Sequence, residues 1–459
     1  MIDATTCDLL IVGGGINGAG IARDAAGRGL SVLLCEQDDF ASGTSSMSSK
    51  LIHGGLRYLE QWEFRLVAEA LHEREVLLKI APHLVRPMRF VMPHSAALRP
   101  AWMIRIGLWL YDHLGGHVSL EKSCRVNLRG TAIGEPLRDE FVTGFAYSDT
   151  ATDDARLVIA TLQSARNHGA ELLPRTRFVG AKREAGQWVA TLEDVTTRAQ
   201  RVVQARTLVN AAGPWVKTVH DLTGDATKGR VGVRLVKGSH IVVPRLYAGD
   251  HAYLLQNTDR RIVFMLPYER DFTMVGTTDV AIDSLEQGWQ CSAAEAEYLC
   301  AAVNRYVRRP IAPDDVVWSF AGIRPLHDDG SANPAAVTRD YSLLVEEEGG
   351  APLLNVLGGK ITTHRKLAEA VLDKLQPWLR HTRGSWTGDE ALPDRPCFDS
   401  ADAGEDLGGG LGQSEVDHLV AEEWACTAED ILWRRTKAGL HMTPAQREKF
   451  AQSFAGCAR

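Results

Sequence analysis

Gly13-Gly14-Gly15-Ile16-Asn17-Gly18 carries the most specific chemistry in this 459-residue sequence. Glycines at that spacing let the backbone turn tightly and lie against a pyrophosphate. The N-terminus of a following helix then holds the anion through free N–H groups and its dipole. Glu36 stands eighteen residues after Gly18, where a carboxylate accepts hydrogen bonds from an adenosine ribose. A second glycine junction, Gly358-Gly359-Lys360, leads through Ile361 and Thr362 into a helical pattern. It is either a helix N-terminus facing developing negative charge or a packing turn. Arg57, Arg324, Arg339 and Lys360 each stand near Gly, Pro or Asp at an element boundary, where loops carry function. A guanidinium fork binds two oxygens at once, but with 51 Lys and Arg in the chain an isolated arginine says little. His53 and His240 titrate near working pH and are the candidates for moving a proton; a lone histidine is more often structural.

The elements around these residues say how they are held. An apolar run over 7–12 precedes the glycines, a helix-like stretch over 19–28 follows, and a second apolar run over 30–35 ends on Glu36. That order of strand, glycine turn, helix, strand and acid predicts a dinucleotide-binding βαβ unit rather than an ordinary one. Helical spacing appears over 63–80, where Pro82 stops it, and over 153–168. Residues 207–215 read as a buried strand ending in a small-residue turn at Ala212 and Gly213. Strand patterns over 238–243, 252–256, 261–266 and 272–277 make the middle of the chain β-rich. A strand over 353–357 precedes a helix over 362–375. Residues 377–415 are rich in Gly, Asp and Pro and read as a linker, with helices in the last forty positions. A nucleotide domain assembled from separated stretches is expected: 1–90, 145–230 and 320–376. The substrate domain is then 91–144 and 231–319, and 377–459 is a linker plus a helical cap. This discontinuous plan suits a flavoprotein better than a nicotinamide dehydrogenase, whose doubly wound sheet is usually contiguous.

Bulk properties narrow the classes. A net charge of −7 gives no reason to expect nucleic acid. The cysteines are scattered without a CxxC pair or zinc spacing, which predicts no metal site and a reducing compartment. The absence of a signal-like stretch before the first strand points to a cytoplasmic protein. No apolar run reaches the 18 or so residues of a membrane span. Residues 101–111, with Trp102, Arg105 and Trp109, fit an interfacial helix or a core helix.

Residues 44–59 (Thr-Ser-Ser-Met-Ser-Ser-Lys-Leu-Ile-His-Gly-Gly-Leu-Arg-Tyr-Leu) resemble the signature of FAD-dependent sn-glycerol-3-phosphate dehydrogenases of the aerobic bacterial type. The resemblance continues through Lys237-Gly238-Ser239-His240, Gly276-Thr277-Thr278-Asp279, Gly322-Ile323-Arg324-Pro325, Thr338-Arg339-Asp340-Tyr341, Gly358-Gly359-Lys360 and Trp433-Arg434-Arg435-Thr436-Lys437. It implies an α/β fold: a Rossmann-like FAD domain of the glutathione-reductase type, an inserted β-rich substrate domain of the D-amino-acid-oxidase type, and a helical C-terminal cap. The implied reaction moves a hydride from C2 of glycerol 3-phosphate to FAD, giving dihydroxyacetone phosphate, with electrons passing to ubiquinone or menaquinone. The resemblance assigns Arg57, Tyr58, Arg324, Arg339 and Lys360 to the substrate. It assigns His240, His53 and Arg324 to catalysis. Its cofactor set is Gly13, Gly14, Gly15, Asn17, Gly18, Glu36, Ser45, Ser46, Ser49, Gly54, Gly55, Ala212, Gly213, Asp279, Gly358, Gly359, Lys360, Ile361 and Thr362. The three serines either bond the pyrophosphate and flavin edge or cap a helix.

A peripheral place on the cytoplasmic (inner) membrane and a homodimer belong to the same expectation. Two departures stand out. The stretch over 386–412 is shorter than the usual cap, and no Asp-x-Asp-x-Asp-Gly loop occurs, so no calcium regulation is expected. The rival readings are a soluble glycerol-3-phosphate oxidase making H2O2 from O2, a D-amino-acid or sarcosine oxidase, and a redox-silent flavin-binding protein. An amine oxidase needs a carboxylate clamp and an apolar amine pocket, against which the basic set argues.

Overall fold

The computed structural model describes residues 5–95, 99–116, 118–224, 231–259, 261–327, 340–347, 350–380, 383–398 and 404–454. The chain divides into two compact units: one of residues 1–46, 154–234 and 325–459, the other of 47–153 and 235–324.

The first unit is built on an eight-stranded sheet. Its centre is five parallel strands in the order Leu353–Leu357, Gln200–Asn210, Thr5–Val12, Val32–Cys35 and Glu171–Leu173. Parallel strands covered on both faces must be apolar throughout. Leu9, Leu10, Ile11, Leu33, Leu34, Leu353 and Leu354 are accordingly buried. Ser342–Glu346 closes one edge antiparallel, and the hairpin Thr176–Glu184 with Gln187–Asp194 extends Gln200–Asn210. The helix Ile16–Gly27 packs against Asp154–Asn167 and His364–Leu375. Its small residues permit the approach: a Cβ on Gly20 would lie 3.1 Å from the His364 ring.

Two expectations change here. Residues 383–392 are a fitted strap instead of a free linker. Trp386 lies where a Cβ on Gly27 would be 2.0 Å from its ring, and Arg23 donates to the carbonyls of Thr387 and Glu390 at 3.1 and 2.8 Å. The C-terminal helices have their own apolar cluster, including Leu411, Leu419, Ile431 and Phe450, yet fall within the first unit. Buried ion pairs explain this, Arg156–Glu423 and Arg435–Asp39 among them.

The second unit is a ten-stranded mixed sheet. Its main path is Val280–Ile282, Val233–Pro244, Phe272–Gly276, Ile262–Tyr268, Ala252–Gln256, Val85–His94, Thr143–Thr152 and Leu51–Ile52. Trp318–His327 pairs with Val233–Pro244, and Cys124–Asn127 with Thr143–Thr152. Residues 47–90 and 145–153, both expected with the nucleotide domain, belong here: Leu51–Ile52 and Val85–His94 pair with Thr143–Thr152, and Val85–His94 also pairs with Ala252–Gln256 of the same sheet. The core between this sheet and the helix Ala293–Asn304 gathers Ile241, Val243, Tyr253, Met265, Val275, Leu299 and Val303.

Candidate functional site

In the first unit the glycine turn is a steric necessity. Gly13 has φ +114° and its Cβ would meet the Ala211 carbonyl oxygen at 2.5 Å; a Cβ on Gly18 would sit 1.9 Å from the Gly13 carbonyl oxygen. Glu36 accepts from Gly14 N–H at 2.7 Å and from Asp38 N–H at 3.0 Å. Burial pushes its carboxyl up, and these two N–H donors work against that shift. Gly15, at the helix N-cap, offers the first turn no side chain, and Ser45 Oγ accepts from Ile16 N–H at 2.9 Å. Ser45 thus caps the helix, and Ser46 follows it in the same short turn, Thr44–Ser46. Asn17 donates to the Gly358 carbonyl at 3.1 Å, tying the two glycine junctions together. Gly358 and Gly359 have φ of +77° and +97°, and Lys360 N-caps the turn Ile361–Thr363 that opens His364–Leu375. Ala212 N–H donates to Asn210 Oδ1 at 3.3 Å, and Gly213 has φ +56°.

The second unit assembles the candidate chemistry. His240 is buried, its ring stacked on Phe320 at 4.8 Å and 9°. Gly276, its register partner, leaves room for it, since a Cβ there would lie 2.0 Å from the imidazole Cδ2. His240 Nε2 is 2.9 Å from Ser49 Oγ, and the buried Nδ1 has no hydrogen-bond partner among the described residues. Burial, then the charges of Lys50 and Arg324, hold the imidazole well below its ordinary range. It is therefore neutral near pH 7 and a weaker base than a free imidazole, so its ionisation lies below the working pH the sequence suggested. Arg324 pairs with Asp279 and donates to Thr277 Oγ1 at 3.2 Å. Gly238 must be bare, because a Cβ would come 2.3 Å from the Arg324 Nη2.

Asp279, expected at the cofactor, and Ser49, expected beside it, thus meet Arg324 and His240 respectively. Half-buried Arg57 forms no hydrogen bond or ion pair among the described residues. It sits on the turn Leu56–Gln61, entered through Gly55 at φ +77°, whose Cβ would strike the Tyr58 ring at 2.3 Å. His53 faces the Phe264 ring edge at 6.4 Å. Gly54 N–H donates to Tyr111 Oη at 2.8 Å, Tyr111 donates to Asp149 at 2.7 Å, and Arg74 holds Asp149 at 2.9 Å. Arg339 lies outside the described residues.

Sequence reasoning missed Glu295. Its carboxylate takes Lys237 Nζ at 2.6 Å, Ser239 Oγ at 2.8 Å and Thr278 Oγ1 at 2.9 Å, anchoring the His240 strand and the Asp279 loop together. Burial pushes its carboxyl up, but hydrogen bonds from Lys237, Ser292 and Ser239 together outweigh it and bring the pKa to about 2. A readable signal existed: Ser292-x-x-Glu295 is a capping box, and both reciprocal bonds form at the start of Ala293–Asn304.

Residues 8–365 match the DAO family, described as FAD dependent oxidoreductase. The chain belongs to that family. A D-erythritol 1-phosphate dehydrogenase of Brucella abortus is 48% identical over 496 aligned positions, 99% of each chain. That alignment is longer than this chain, which therefore carries deletions relative to the Brucella protein. A glycerol-3-phosphate dehydrogenase of Pseudomonas aeruginosa is 49% identical, covering 98% of this chain and 95% of the relative. Among solved structures, a glycerol-3-phosphate dehydrogenase of Bacillus halodurans complexed with FAD aligns with TM-score 0.71 at 24% identity, over 98% of this chain and 94% of that one. That likeness shows the fold.

FAD fits the residues present. Asn17 Oδ1 is buried without a hydrogen-bond partner among the described residues, beside a glycine turn that no side chain can fill, and Glu36 is poised next to it. Gly13, Gly14, Gly15, Gly18 and Glu36 would hold the adenosine and pyrophosphate, and the Gly358-Gly359-Lys360 junction the isoalloxazine. Among the described residues no group of His, Cys, Asp and Glu could hold a metal ion.

Proposed function

We propose that the protein oxidises sn-glycerol 3-phosphate to dihydroxyacetone phosphate and passes the electrons to a respiratory quinone. FAD supplies the hydride acceptor. The observation that carries the reading is geometric: buried His240 lies 2.9 Å from Ser49 Oγ in the same unit that holds Arg324 on Asp279 and Thr277, a proton acceptor and a cation suited to an alcohol oxidation. The C2 hydroxyl proton moves through Ser49 Oγ to His240 Nε2, since Ser49 is half-buried and the imidazole fully so. Arg57 and Tyr58 bind the phosphate. Among the described residues the Arg57 charge is uncommitted, whereas Asp279 already offsets Arg324, so Arg324 orients the reacting hydroxyl. Lys360 and the helix start behind it stabilise the negative charge that hydride transfer develops.

The relatives named for phosphorylated polyols support the substrate class. The Brucella relative favours a second reading, a four-carbon phosphate such as D-erythritol 1-phosphate. A lipid-surface location is supported by the helix Ala101–Leu114. It buries Ile104, Leu108 and Tyr111 while leaving Trp102, Ile106 and Trp109 more than half exposed, as is Trp62. Among the described residues no helix is long and apolar enough to cross a membrane.

The test is anaerobic titration of the purified flavoprotein. Glycerol 3-phosphate is expected to bleach the flavin, and a quinone analogue to restore it with little peroxide. Bleaching by D-erythritol 1-phosphate alone would select the four-carbon reading. Stoichiometric H2O2 in air without quinone reduction would select the oxidase, and no bleaching by either polyol phosphate would end the proposal.

A further inference from the structure

The Arg434-Arg435 pair has no role in the reaction proposed above, yet both side chains are buried, Arg435 almost completely. The stretch Asp430–Arg435 is a π-helical turn, closed by Thr436 N–H to the Ile431 carbonyl at 3.0 Å. Such turns are rare and recur at functional positions. Both guanidiniums converge on Asp39. Arg434 Nε donates to its Oδ2 at 2.6 Å, and Arg435 donates from Nη1 and Nη2 to Oδ2 and Oδ1 at 2.8 and 2.7 Å.

The arginines are themselves held. Arg435 also donates to the Glu423 carbonyl at 2.7 and 3.0 Å, and Arg434 pairs with Asp430. Asp430 in turn takes two bonds of 2.9 Å from Arg175. A buried carboxylate with two fully engaged guanidiniums is locked, because removing one partner leaves an uncompensated charge in the interior.

What the cluster locks is residues 36–41, the segment that joins the ribose-binding carboxylate to the glycine turn. Thr176 N–H and Arg175 N–H bind the Glu36 and Asp38 carbonyls at 2.7 and 3.1 Å, and Ala41 N–H returns to the Gly14 carbonyl at 3.1 Å. Phe40 lies so close to Gly14 that a Cβ there would be 2.5 Å from its ring, and Trp424 meets Phe40 edge-on at 5.3 Å. The C-terminal segment therefore grips this loop twice, at Asp39 by charge and at Phe40 by an aromatic edge.

We propose that the C-terminal segment is a retention clamp for FAD. Through Asp39 and Phe40, Arg434, Arg435 and Trp424 hold the adenosine-side loop in its binding shape, so that cofactor binding does not pay to order it. These are positioning residues, and their effect belongs in cofactor affinity.

The experiment follows FAD release from the holoprotein by the rise in flavin fluorescence on dilution. Arg434→Met and Arg435→Met are expected to speed release about tenfold, equivalent to about 1.4 kcal/mol. Phe450→Ala, which opens the same segment's apolar cluster without removing a partner of Asp39 or Phe40, serves as the control. It is expected to lower Tm while leaving the release rate near wild type. Unchanged release in both arginine variants overturns the clamp, and so does Phe450→Ala speeding release as much as they do. Should Arg435→Met yield no soluble protein, Trp424→Leu decides on the same criterion. A wild-type protein that carries no FAD would refute the cofactor assignment instead, which separates the two failures.

Discussion

The glycine turn of the first unit and the His240 strand of the second solve the problem of holding reactive groups in opposite ways. At the turn, backbone does the work: residues 13–18 are shaped by what a Cβ would strike, and their side-chain partners Glu36, Phe40 and Ser45 follow within about thirty positions, while the distant Ala211 and Gly358 meet the turn through backbone carbonyls. Around His240, side chains do it. Ser49, Asp279, Glu295, Phe320 and Arg324 come from segments scattered across nearly three hundred residues. A backbone device fails all at once when one atom is added. A side-chain device fails by degrees, according to which partner is removed.

Substitutions can break or sharpen that contrast. His240→Asn should lower kcat roughly a hundred- to ten-thousand-fold with the flavin spectrum intact; unchanged turnover would remove the imidazole from the proton path. Gly276→Ala should mimic it, because the added Cβ would occupy the space of the ring. Gly18→Ala should cost about 3 kcal/mol or more and the bound flavin with it, seen as a lower Tm and loss of the visible absorbance.

The pH dependence of stability is next. Burial holds His364 down at about 4. Above pH 7 the group is neutral in both states and contributes no pH dependence. As pH falls below about 6.5 the unfolded chain takes up a proton that the folded chain refuses. Stability should then decline progressively to pH 4, by about 3 kcal/mol in all. His240, shifted in the same direction, adds to the decline. Thermal melts at stepped pH test this, and His364→Gln should flatten part of the acid limb.

Arg57→Met should raise KM for the phosphorylated substrate about tenfold to a hundredfold, the worth of a hydrogen bond between charged groups, with a smaller change in kcat. Equal KM would move the phosphate elsewhere. The smallest effect belongs to Gly213→Ala. Space is open there, but φ is +56°, so about 1 kcal/mol is expected from backbone strain alone. A loss as large as that of Gly18→Ala would contradict the steric account of the turn.

Legibility in the sequence followed the same division. The first βαβ unit, the helices near 63–80 and 153–168 and the β-rich middle were readable because hydrophobic periodicity and glycine chemistry are local. The placement of residues 47–90 was not, because Leu51–Ile52 and Val85–His94 find their partner in Thr143–Thr152, far along the chain. The strap at 383–392 looked like a linker because its composition is polar and glycine-rich. Trp386 is what seats it, in a space opened by Gly27. Glu295 carried its capping-box signal in plain view, but nothing local says that its carboxylate also binds Lys237, Ser239 and Thr278.

Residue order alone therefore determined the cofactor class, the glycine turn and the identities of the titrating and cationic groups, since each depends on short-range spacing and intrinsic chemistry. Tertiary structure decided their states. It buried His240 and lowered its basicity, committed Arg324 to Asp279, left the Arg57 side chain without a charge partner among the described residues and set Arg434 and Arg435 on Asp39. Burial and the charges brought alongside by distant segments control protonation and pairing, and those neighbours exist only once the chain has folded.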